Sequence, residues 1–469
     1  MADMHKIHRA MSVPAASAQR TARAVKILQP LRSGSADRLR GKLNLFQATM
    51  LRWRALHPYS AVHVVRFDGA LSPKRLRRCI EQRLETAGLT GLVLDRKRGH
   101  FEFRGGAATV EPTILAGGED VRGTVEREIE RQLNLPFPLE GGFSPFRFFA
   151  VDAGASFHLG LAYDHFIAGG DSIAVLIGKV CDDYAANDTR PFAPWTPQRY
   201  PRTYRRLFLR HLRHAAAGFA RLPALAAACR RSFRAPCRAG RDPANGFFSI
   251  RIGPDVFGAV LQTTKAWGVT VNDLFLAALL LALTPQTLKR RSAHHRKELA
   301  VASIVNLRGE FEASAEETFG QFLTSLRVSH AVPSDISLSE LARQIHAQTK
   351  VIKERKLYLQ TLVALGWVAL AWRFLGPARR QSFLAKHYPI WAGITNLNID
   401  SLWSPSRPGA SQSEYLRAVP TGPLAPLVVA ATTLGGVLQL GFSFRAADLS
   451  RDTVQQIAED FVRRIENLA

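Results

Sequence analysis

The sequence predicts a mixed α/β (α+β) protein with two domains, and three observations lead to this prediction. Runs in which apolar residues alternate, as in strands, are interspersed with runs in which they recur every three to four positions, as in helices. The chain has 469 residues, which is more than one ordinary hydrophobic core holds. Hydrophobic residues make up 46% and charged residues 22% of it, as in globular proteins.

The first regular elements are expected shortly after Leu43. The segment AVHVVRFDGAL alternates apolar residues and predicts a strand that ends at Asp68-Gly69. The segment SPKRLRRCIEQRL predicts a helix, because Ser72 can cap it and the following proline suits the first helical position.

A strand, a glycine turn and a helix follow one another around His165. FHLGLAYDH alternates apolar residues in phase up to His165, which predicts a core strand with this histidine at its end. Gly169 and Gly170 predict the turn, and Asp171 is expected to cap the helix that follows, whose apolar residues recur at helical spacing.

The second half of the chain repeats this mixture of strands and helices. FFSIRI predicts a strand, and Thr270 with Asp273 predicts a capping box before an apolar helix, LFLAALLLAL. VASIVNLR predicts a strand that ends at Arg308, SLSELARQIHAQTKVI a helix, and the last 35 or so residues a strand, a turn and a terminal helix.

One long stretch, Leu357 to Trp372, carries no formal charge over sixteen residues. A helix that spans a membrane needs about 20 apolar residues, so we expect a buried or membrane-surface helix. Arg373, Arg379 and Arg380 directly follow and would suit contact with a membrane surface.

Charge and composition divide the chain into four parts. We predict a basic, disordered tail at 1–42, a first lobe at 43–186, an arginine-rich connector at 187–245 and a second lobe at 246–469. The tail has nine basic and two acidic residues, a net +7, and residues 199–241 have twelve arginines and no acid, a net +12. These two segments supply 19 of the 25 net positive charges.

This distribution indicates an anionic partner but not a module that reads nucleic-acid sequence. Zinc-finger spacing and RNP-type aromatic motifs are both absent from the sequence. A CoA phosphate, an acidic carrier protein or an acidic membrane surface would each suit the charge. Nucleic-acid binding through the connector is the alternative, and it predicts a gel shift that persists at physiological salt.

The cysteines and the N-terminus indicate a cytoplasmic protein without a metal. Cys79, Cys181, Cys229 and Cys237 form no C-x-x-C pair and have no histidine at metal-ligand spacing, so we expect neither a zinc site nor a disulfide framework. The first residues contain no apolar segment of the kind that a secretory signal requires.

His165 has two interpretations from the residues alone. A histidine fixed at the end of a core strand, with glycines beside it, has the rigid position and the open access that a general base needs. A histidine near a strand end is also commonly a hydrogen-bonded structural residue.

The segment YDHFIAGGDS resembles the H-H-x-x-x-D-G-x-S motif of nonribosomal-peptide condensation domains, wax ester synthases and chloramphenicol acetyltransferases. His165 falls on the second, catalytic histidine of that motif, Gly170 on its glycine and Ser172 on its frequent serine. Further similar segments follow in the family's order from about residue 43 to the C-terminus, among them LNLPFPLEGGFSPFRF, TVNDLFLAAL, VNLR and ITNLNID.

The resemblance implies two chloramphenicol acetyltransferase-like lobes in a V-shaped pseudo-dimer with a central tunnel. It implies an acyltransferase in which His165 is the general base and the acceptor is a small molecule with a hydroxyl or an amine. The donor would be acyl-CoA or an acidic acyl carrier protein with its phosphopantetheine arm, as co-substrate. The resemblance implies no permanently bound cofactor and no metal, and it leaves ester and amide products open.

Four further residues have both a structural and a functional interpretation. Asn272 and Asp273 either only cap a helix or, as the resemblance suggests, line the channel. Asn306 and Arg308 either end a strand in a solvated turn or anchor the interface between the lobes.

Thr395 and Asn396 belong to the segment that, in the family, runs past the active site as a strand. The resemblance therefore makes them candidate substrate contacts. GGDS does not fit the G-x-S-x-G pattern of serine hydrolases, which disfavours that class.

The motif departs from the family pattern at two positions. Asp164 replaces the first histidine, and Gly169 replaces the aspartate that pairs with an arginine in the family. Asp171 is either a substitute for that aspartate or a simple helix cap, and strand alternation directs Asp164 away from His165. The departures leave an alternative open, a noncatalytic homologue that binds a carrier protein or a lipid.

Overall fold

The computed structural model describes residues 39–186, 195, 197–199, 204–238, 242–288, 296–312, 314–403 and 412–468. Most of the predicted tail at 1–42 therefore lies outside the described residues. Its last four residues form strand β1, Leu39–Lys42, which pairs antiparallel with His100–Phe103. Regular structure thus begins four residues before the expected Leu43, because main-chain hydrogen bonds can hold a strand that the basic composition does not suggest.

The remaining strands alternate with helices along the chain. The strands are β2 (Ser60–Asp68), β3 (Leu92–Asp95), β4 (His100–Phe103), β5 (Thr113–Ala116), β6 (Gly141–Phe143), β7 (Phe146–Asp152), β8 (Ser156–Asp164), β9 (Gln198–Arg199), β10 (Asn245–Ile252), β11 (Leu299–Asn306), β12 (Thr318–Phe319), β13 (Leu323–His330), β14 (Ala392–Asn398), β15 (Gln412–Ala418), β16 (Leu427–Leu434) and β17 (Val437–Arg445). The helices are α1 (Leu45–Arg54), α2 (Pro73–Thr86), α3 (Val121–Asn134), α4 (Gly170–Ala185), α5 (Arg205–Arg210), α6 (Leu212–Ala220), α7 (Leu222–Arg231), α8 (Pro254–Trp267), α9 (Val271–Leu288), α10 (Leu338–Glu354), α11 (Leu359–Ala371), α12 (Pro377–His387) and α13 (Arg451–Glu466).

A five-stranded sheet with the order β15-β2-β8-β7-β5 holds the strand that leads to His165. β2 and β8 are antiparallel along their whole length, with Ser60 opposite Asp164. Almost every side chain of β8 is buried, and α2 and α4 pack against each other beside the sheet. The end of β8 is therefore a rigid position.

A six-stranded sheet with the order β10-β17-β16-β14-β11-β13 dominates the second half of the chain. Helix α9 is apolar on all sides and contacts α10 and α13, which bury it over this sheet. A helix without a polar face requires such complete burial.

Two strand pairs connect distant parts of the chain. β15 comes from the second half of the sequence but pairs antiparallel with β2 of the five-stranded sheet. β9 pairs with β12, which brings residues 198–199 against residues 318–319. The chain between β14 and β16 thus leaves the six-stranded sheet to complete the other one.

The predicted elements agree well with the structure, except at a few ends. Thr270 and Asp273 form the predicted capping box, in which each residue's main-chain N–H donates to the side-chain oxygen of the other. β11 ends at Asn306, and Arg308 begins a short 3₁₀ helix instead of ending the strand. The expectation that Asp171 caps a helix was wrong, because α4 begins at Gly170 with Gly169 as its N-cap.

The uncharged stretch forms α11, which is partly buried through Leu359, Leu362 and Leu365. Within the described parts of the chain, no individual helix has both the length and the apolar character that crossing a membrane needs. Two bent helix pairs reach that criterion only when their members are taken together: Pro254–Trp267 with Val271–Thr287, and Leu338–Glu354 with Leu359–Phe374.

Candidate functional site

A cavity of about 1290 Å³, part of it open to solvent, lies where strands of both large sheets approach each other. β2, β8 and β15 contribute to its wall from one sheet, and β11, β13, β14 and β16 from the other. Helices α1, α11 and α12 supply much of the apolar remainder. The apolar wall includes Phe46, Met50, Trp53, Ile304, Leu365, Val368, Leu384, Ile394, Leu424 and Val428.

His165 lies on the wall of this cavity, directly after the last residue of β8. Its main-chain N–H donates to the carbonyl of Tyr59 at 3.3 Å. The side-chain amide of Gln321 donates to the carbonyl of Ala168 at 2.6 Å and to that of His165. Both ends of the turn that carries the imidazole are therefore fixed by hydrogen bonds.

The imidazole of His165 is neutral at physiological pH. The residue is 8% exposed, and burial lowers the pKa of His165 to about 4. The aromatic rings of Tyr59 and Tyr163 lie 5.6 Å and 5.7 Å from its centre. Nδ1 is buried without a hydrogen-bond partner among the described residues. A neutral ring of this kind can accept a proton from a molecule in the cavity.

Asp164 is paired with Arg54 of α1 and not with His165. Both side chains are buried, and the Arg54 guanidinium also lies over the rings of Phe143 and Phe166 at 5.9 Å and 5.6 Å. The ion pair fastens α1 to the end of β8. The substitution of Asp164 for the family's first histidine therefore supplies a structural bond at that position.

Asp171 holds an arginine, in the manner that the resemblance implies for the motif aspartate. It accepts a hydrogen bond from Asn306 Nδ2 at 2.9 Å and pairs with the guanidinium of Arg308. Nη2 of Arg308 also donates to Ser172 Oγ at 2.5 Å. The first turn of α4 is thus fastened to the end of β11.

Gly169 and Ser172 make a second connection to the other half of the chain. The N–H of Gly169 donates to the carbonyl of Gly320 at 2.9 Å, and the N–H of Gly320 donates to Ser172 Oγ at 3.1 Å. Gly169, Asp171 and Ser172 of the motif are therefore brought together with the predicted pair Asn306 and Arg308 beside the His165 turn.

Of the other four predicted residues, one lines the cavity and three do not. Asn272 accepts a hydrogen bond from Ser303 Oγ at 3.0 Å, and Asp273 accepts one from Thr349 Oγ1 at 2.7 Å besides its capping role. Neither Asn272 nor Asp273 lines the cavity. Thr395 does line it, whereas Asn396, the next residue on β14, does not.

Two residues on the cavity wall escaped the sequence reasoning, His63 on β2 and Arg417 on β15. In the sequence, His63 interrupts the apolar residues of a predicted strand, and this interruption could have marked it as a candidate site residue. The sequence around Arg417 contains no such indication, because only the pairing of β15 with β2 brings this residue to the site. Gly170 makes room for both: a Cβ there would lie 3.2 Å from Arg417 Nη1 and 3.5 Å from His63 Cε1.

No group of three or more histidine, cysteine or acidic side chains within the described ranges is placed to hold a metal ion. The four cysteines form no disulfide among the described residues, and Cys79, Cys181 and Cys229 are buried.

Neither a protein-family model nor a curated protein matches this sequence. Solved structures do match its fold. The first condensation domain of the CDA synthetase is 17% identical, with a TM-score of 0.62 over 92% of this chain and 96% of that one. The protein has the condensation-domain fold.

Other condensation-domain structures are equally similar. A variant of the starter condensation domain of rhizomide synthetase, in complex with C8-CoA and Leu-SNAC, is 14% identical with a TM-score of 0.64, over 92% of this chain and 94% of that one. The epimerization domain from the third module of tyrocidine synthetase B is 13% identical with a TM-score of 0.60, over 94% and 98%. The predicted mixed α/β class and the predicted resemblance to condensation domains are thereby confirmed.

Proposed function

We propose that this protein is a condensation-type acyltransferase that moves an acyl group from a thioester to a hydroxyl or amine, with His165 as general base. The observation that carries the proposal is a neutral imidazole held at the end of a buried strand, on the wall of a large apolar cavity. The thioester would be acyl-CoA or an acyl carrier protein. The rhizomide starter domain, which shares the fold, was solved with C8-CoA bound.

The proposed reaction needs one proton carrier. The acceptor's proton passes to the imidazole of His165 as its oxygen or nitrogen attacks the thioester carbonyl carbon, and the carbonyl oxygen takes up the negative charge. When the carbonyl re-forms, the C–S bond breaks and the thiolate takes the proton from the imidazolium. Positioned general bases typically contribute about 10² to 10⁴ in rate. A pKa of about 4 makes the imidazolium a ready acid for the second transfer.

The proposal includes the architecture that the resemblance implies. Residues 43–186 and 246–469 would be two chloramphenicol acetyltransferase-like lobes joined by the connector at 187–245, with a tunnel between them. Strands from both large sheets line the cavity, which supports this arrangement. Donor and acceptor would then reach His165 from opposite ends of the tunnel.

The residues around the His165 turn have positioning roles in this proposal. Asp171, Ser172 and Arg308 hold the first turn of α4, and Asp164 with Arg54 holds the end of β8. Fixing the imidazole in this way lowers the entropic cost of reaching the reactive geometry.

The test is incubation of the purified protein with a panel of acyl-CoAs and acyl carrier proteins plus hydroxyl and amine acceptors, followed by mass spectrometry of the products. His165→Ala should lower the transfer rate at least about 100-fold. The matched control is His100→Ala on strand β4, which should leave the rate unchanged. Undiminished transfer by the His165 variant would remove this residue as the base, and the masses of the products separate esters from amides.

A noncatalytic protein that binds a carrier protein or a lipid is the second candidate, favoured by the departures at Asp164 and Gly169. It predicts saturable binding of acyl-carrier protein or lipid that is the same in the natural protein and in His165→Ala, with no product from any pair in the panel. Detection of a turnover product that depends on His165 excludes it.

A further inference from the structure

The cavity has one charged residue among the described residues that line it, Arg417. It is 3% exposed and forms no ion pair with a described acidic residue. Its Nε donates to Thr432 Oγ1 at 2.7 Å, and its Nη2 donates to the carbonyls of Thr395 at 3.0 Å and Ala431 at 2.7 Å. These acceptors are all neutral, and the buried carboxylate of Asp171, which favours the charge of Arg417 from a greater distance, is paired with Arg308. Nη1 takes part in none of these three hydrogen bonds.

His63 supplies a second polar atom at the same place. Its Nδ1 lies 2.7 Å from the hydroxyl of Tyr415, while its Nε2 is buried and has no partner among the described residues. When the Tyr415 hydroxyl donates to Nδ1, the hydrogen of the neutral ring is on Nε2. His63, which lines the cavity, then has an unused donor.

Arg417 Nη1 and His63 Nε2 both lie close to Gly170. A Cβ at that position would lie 3.2 Å from Arg417 Nη1 and 3.6 Å from His63 Nε2. Both nitrogens are therefore close to this glycine, and a carboxylate in the cavity beside it, which has two acceptor oxygens, can reach both of them. This part of the cavity also faces the first turn of the sixteen-residue helix α4, whose N-terminal end attracts negative charge.

We propose that the part of the cavity beside Gly170 binds a carboxylate of the substrate, with Arg417 Nη1 and His63 Nε2 as donors, and that the apolar wall holds the rest of the molecule. The ligand class is thus an amphipathic carboxylate that also has an amine or a hydroxyl, such as an apolar amino acid or hydroxy acid. The proposal rests on the proposed function only in that it calls this ligand a substrate. Charge-assisted hydrogen bonds to a carboxylate are about twice as strong as neutral ones.

The experiment compares decanoate with decan-1-ol, which have the same chain and differ in the head group. Isothermal titration calorimetry of the full-length protein should show decanoate binding at least about tenfold more tightly than the alcohol. Arg417→Met should remove this preference and leave the affinity for decan-1-ol unchanged, whereas Arg417→Lys should retain part of it. Equal affinities of the natural protein for the two ligands would overturn the proposal.

A second variant keeps the test valid if Arg417→Met does not fold, since Arg417 also bonds to β14 and β16. Gly170→Ala keeps the guanidinium and places a methyl group beside the two donors, in room that the carboxylate needs, and the helical backbone there accepts alanine. It should abolish the preference for decanoate. The matched control is Gly258→Ala on helix α8, where a Cβ meets nothing within 4 Å, and this variant should behave as the natural protein.

The outcomes separate this inference from the proposed function. A carboxylate preference in a protein that transfers no acyl group supports the site and rejects the enzyme. Acyl transfer in a protein without any carboxylate preference, in which Arg417→Met lowers only the turnover number, rejects the site and assigns Arg417 to the reaction's oxyanion.

The outer surface of α11 and its neighbours exposes several large apolar side chains. Twelve large hydrophobic residues are exposed in the described part of the chain, and six of them lie in residues 209–219 and 367–374. Trp367 is 58% and Phe374 84% exposed, and Leu209 on α5 is 68% exposed. Isolated exposed apolar residues are ordinary, but a cluster of this size marks an interaction surface.

The two segments belong to one face of the molecule. Gln360, Val363, Trp367, Leu370 and Phe374 are three or four residues apart, which places them on one side of α11 and the turn after it. The N-terminal end of this row of residues, which we call the stripe, packs on α6. There Gln360 Nε2 donates to the carbonyl of Gly218 at 2.9 Å. The stripe and the exposed side of α6 are therefore continuous.

The charges around this face are predominantly positive, and the acidic residues at its edge, Glu310 and Glu312, are paired with His211 and Arg210. Arg206, Arg213, Arg373 and Arg379 are exposed, and residues 199–241 contain no acidic residue. Large apolar side chains surrounded by arginines match an anionic membrane surface. The inner side of α11 lines the cavity through Thr361, Ala364, Leu365 and Val368, so this helix lies between the exposed face and the cavity.

We infer that the face formed by residues 209–219 and 367–374 lies on an anionic lipid surface. The natural protein should sediment with vesicles of phosphatidylcholine and phosphatidylglycerol and much less with phosphatidylcholine alone. Phe374→Ser and Trp367→Ser should each lower the bound fraction, while the control Ile114→Ser, which removes an exposed side chain on β5, should not.

Other occupants of this face give different results. A concentration-dependent dimer that Phe374→Ser dissociates would assign the face to a second copy and overturn the membrane inference. Vesicle binding that appears only after deletion of residues 1–38 would show that the N-terminal segment covers the face in the natural protein, and it would likewise overturn it.

Discussion

The imidazole of His165 owes its neutrality to its surroundings. Burial against Tyr59 and Tyr163 disfavours the charged form, and Arg417 on the same wall adds an unfavourable positive charge. A surface histidine would be protonated in part at neutral pH, and only the unprotonated fraction could act as a base. The site thus keeps its histidine in the form that accepts a proton.

The protonation of His165 can be measured without a substrate. We expect its side-chain ¹⁵N and ¹H signals to show a neutral ring from pH 8 to about pH 5, because burial lowers its pKa to about 4. Two-dimensional NMR of the imidazole nitrogens, with assignment through His165→Gln, is the measurement. A titration midpoint between pH 6 and 7 would contradict the burial of this ring.

The ion pair of Asp171 and Arg308 is the bond whose loss should be most costly near the site. Both side chains are about 95% buried, and Asp171→Asn would leave Arg308 as an uncompensated buried cation. We expect a loss of about 3 kcal/mol in the free energy of unfolding. Urea denaturation measures it, and the control is Asp452→Asn, an exposed aspartate in the first turn of α13, with an expected loss of under about 1 kcal/mol.

Helix α11 has two different apolar faces, and this explains its uncharged sequence. One face lines the cavity, and the other is partly exposed. A helix that lines a cavity leaves room for a ligand only where its side chains are small. Ala364 is a small residue on the face of α11 that lines the cavity. Its size therefore sets how much of the cavity a ligand can use.

Enlarging Ala364 should shorten the ligands that fit. We expect Ala364→Phe to weaken binding of decanoate about tenfold or more and to change that of butanoate little, because the ring removes space in the apolar part. Calorimetry with the chain-length series measures this. Leu370→Phe, on the exposed face of the same helix, is the control, and an equal loss for all chain lengths would point to general misfolding instead.

Sequence patterns were sufficient for elements that form by local rules. The alternation in β8, the glycines of the turn and the helical spacing of α4 placed His165 correctly, and Thr270 with Asp273 began α9 as expected. The role of Asp171 could not follow from local rules, because its partner Arg308 is 137 residues away. Its position in the first helical turn predicted a cap. In the structure its carboxylate instead pairs with Arg308, just after the end of β11.

The same limit applies to the site as a whole. His63 and Arg417 reach the cavity only because β2 and β15, which are some 350 residues apart in sequence, pair antiparallel. Periodicity can indicate that each of these segments is a strand, but it contains no information on which strands are neighbours.

Buried neutral histidines make the stability of the whole molecule depend on pH. Burial lowers the pKa of His57 to about 3 and the pKa values of His158 and His165 to about 4. The unfolded chain binds these protons below its ordinary pKa of about 6.5, whereas the folded chain does not until about pH 4. Stability therefore falls as the pH falls through this window.

We expect the urea midpoint to decrease steadily from pH 7 to pH 5, with each of these histidines costing about 1 to 2 kcal/mol at the lower end. Equilibrium unfolding at fixed ionic strength measures the slope. His57→Gln removes one of the groups that take up a proton on unfolding. The decrease of the urea midpoint with falling pH should therefore be shallower in this variant, whatever its stability at pH 7. A midpoint that rises toward pH 5 would contradict this account.

The insertion of β15 beside β2 has a consequence for the order in which this protein can fold as it is made. Until residues 412–418 have left the ribosome, β2 presents an open row of main-chain donors and acceptors to its surroundings. The first sheet is thus finished only near the end of translation. A gene fragment that stops after residue 186 would leave that edge uncovered for good, and its product should aggregate by strand pairing.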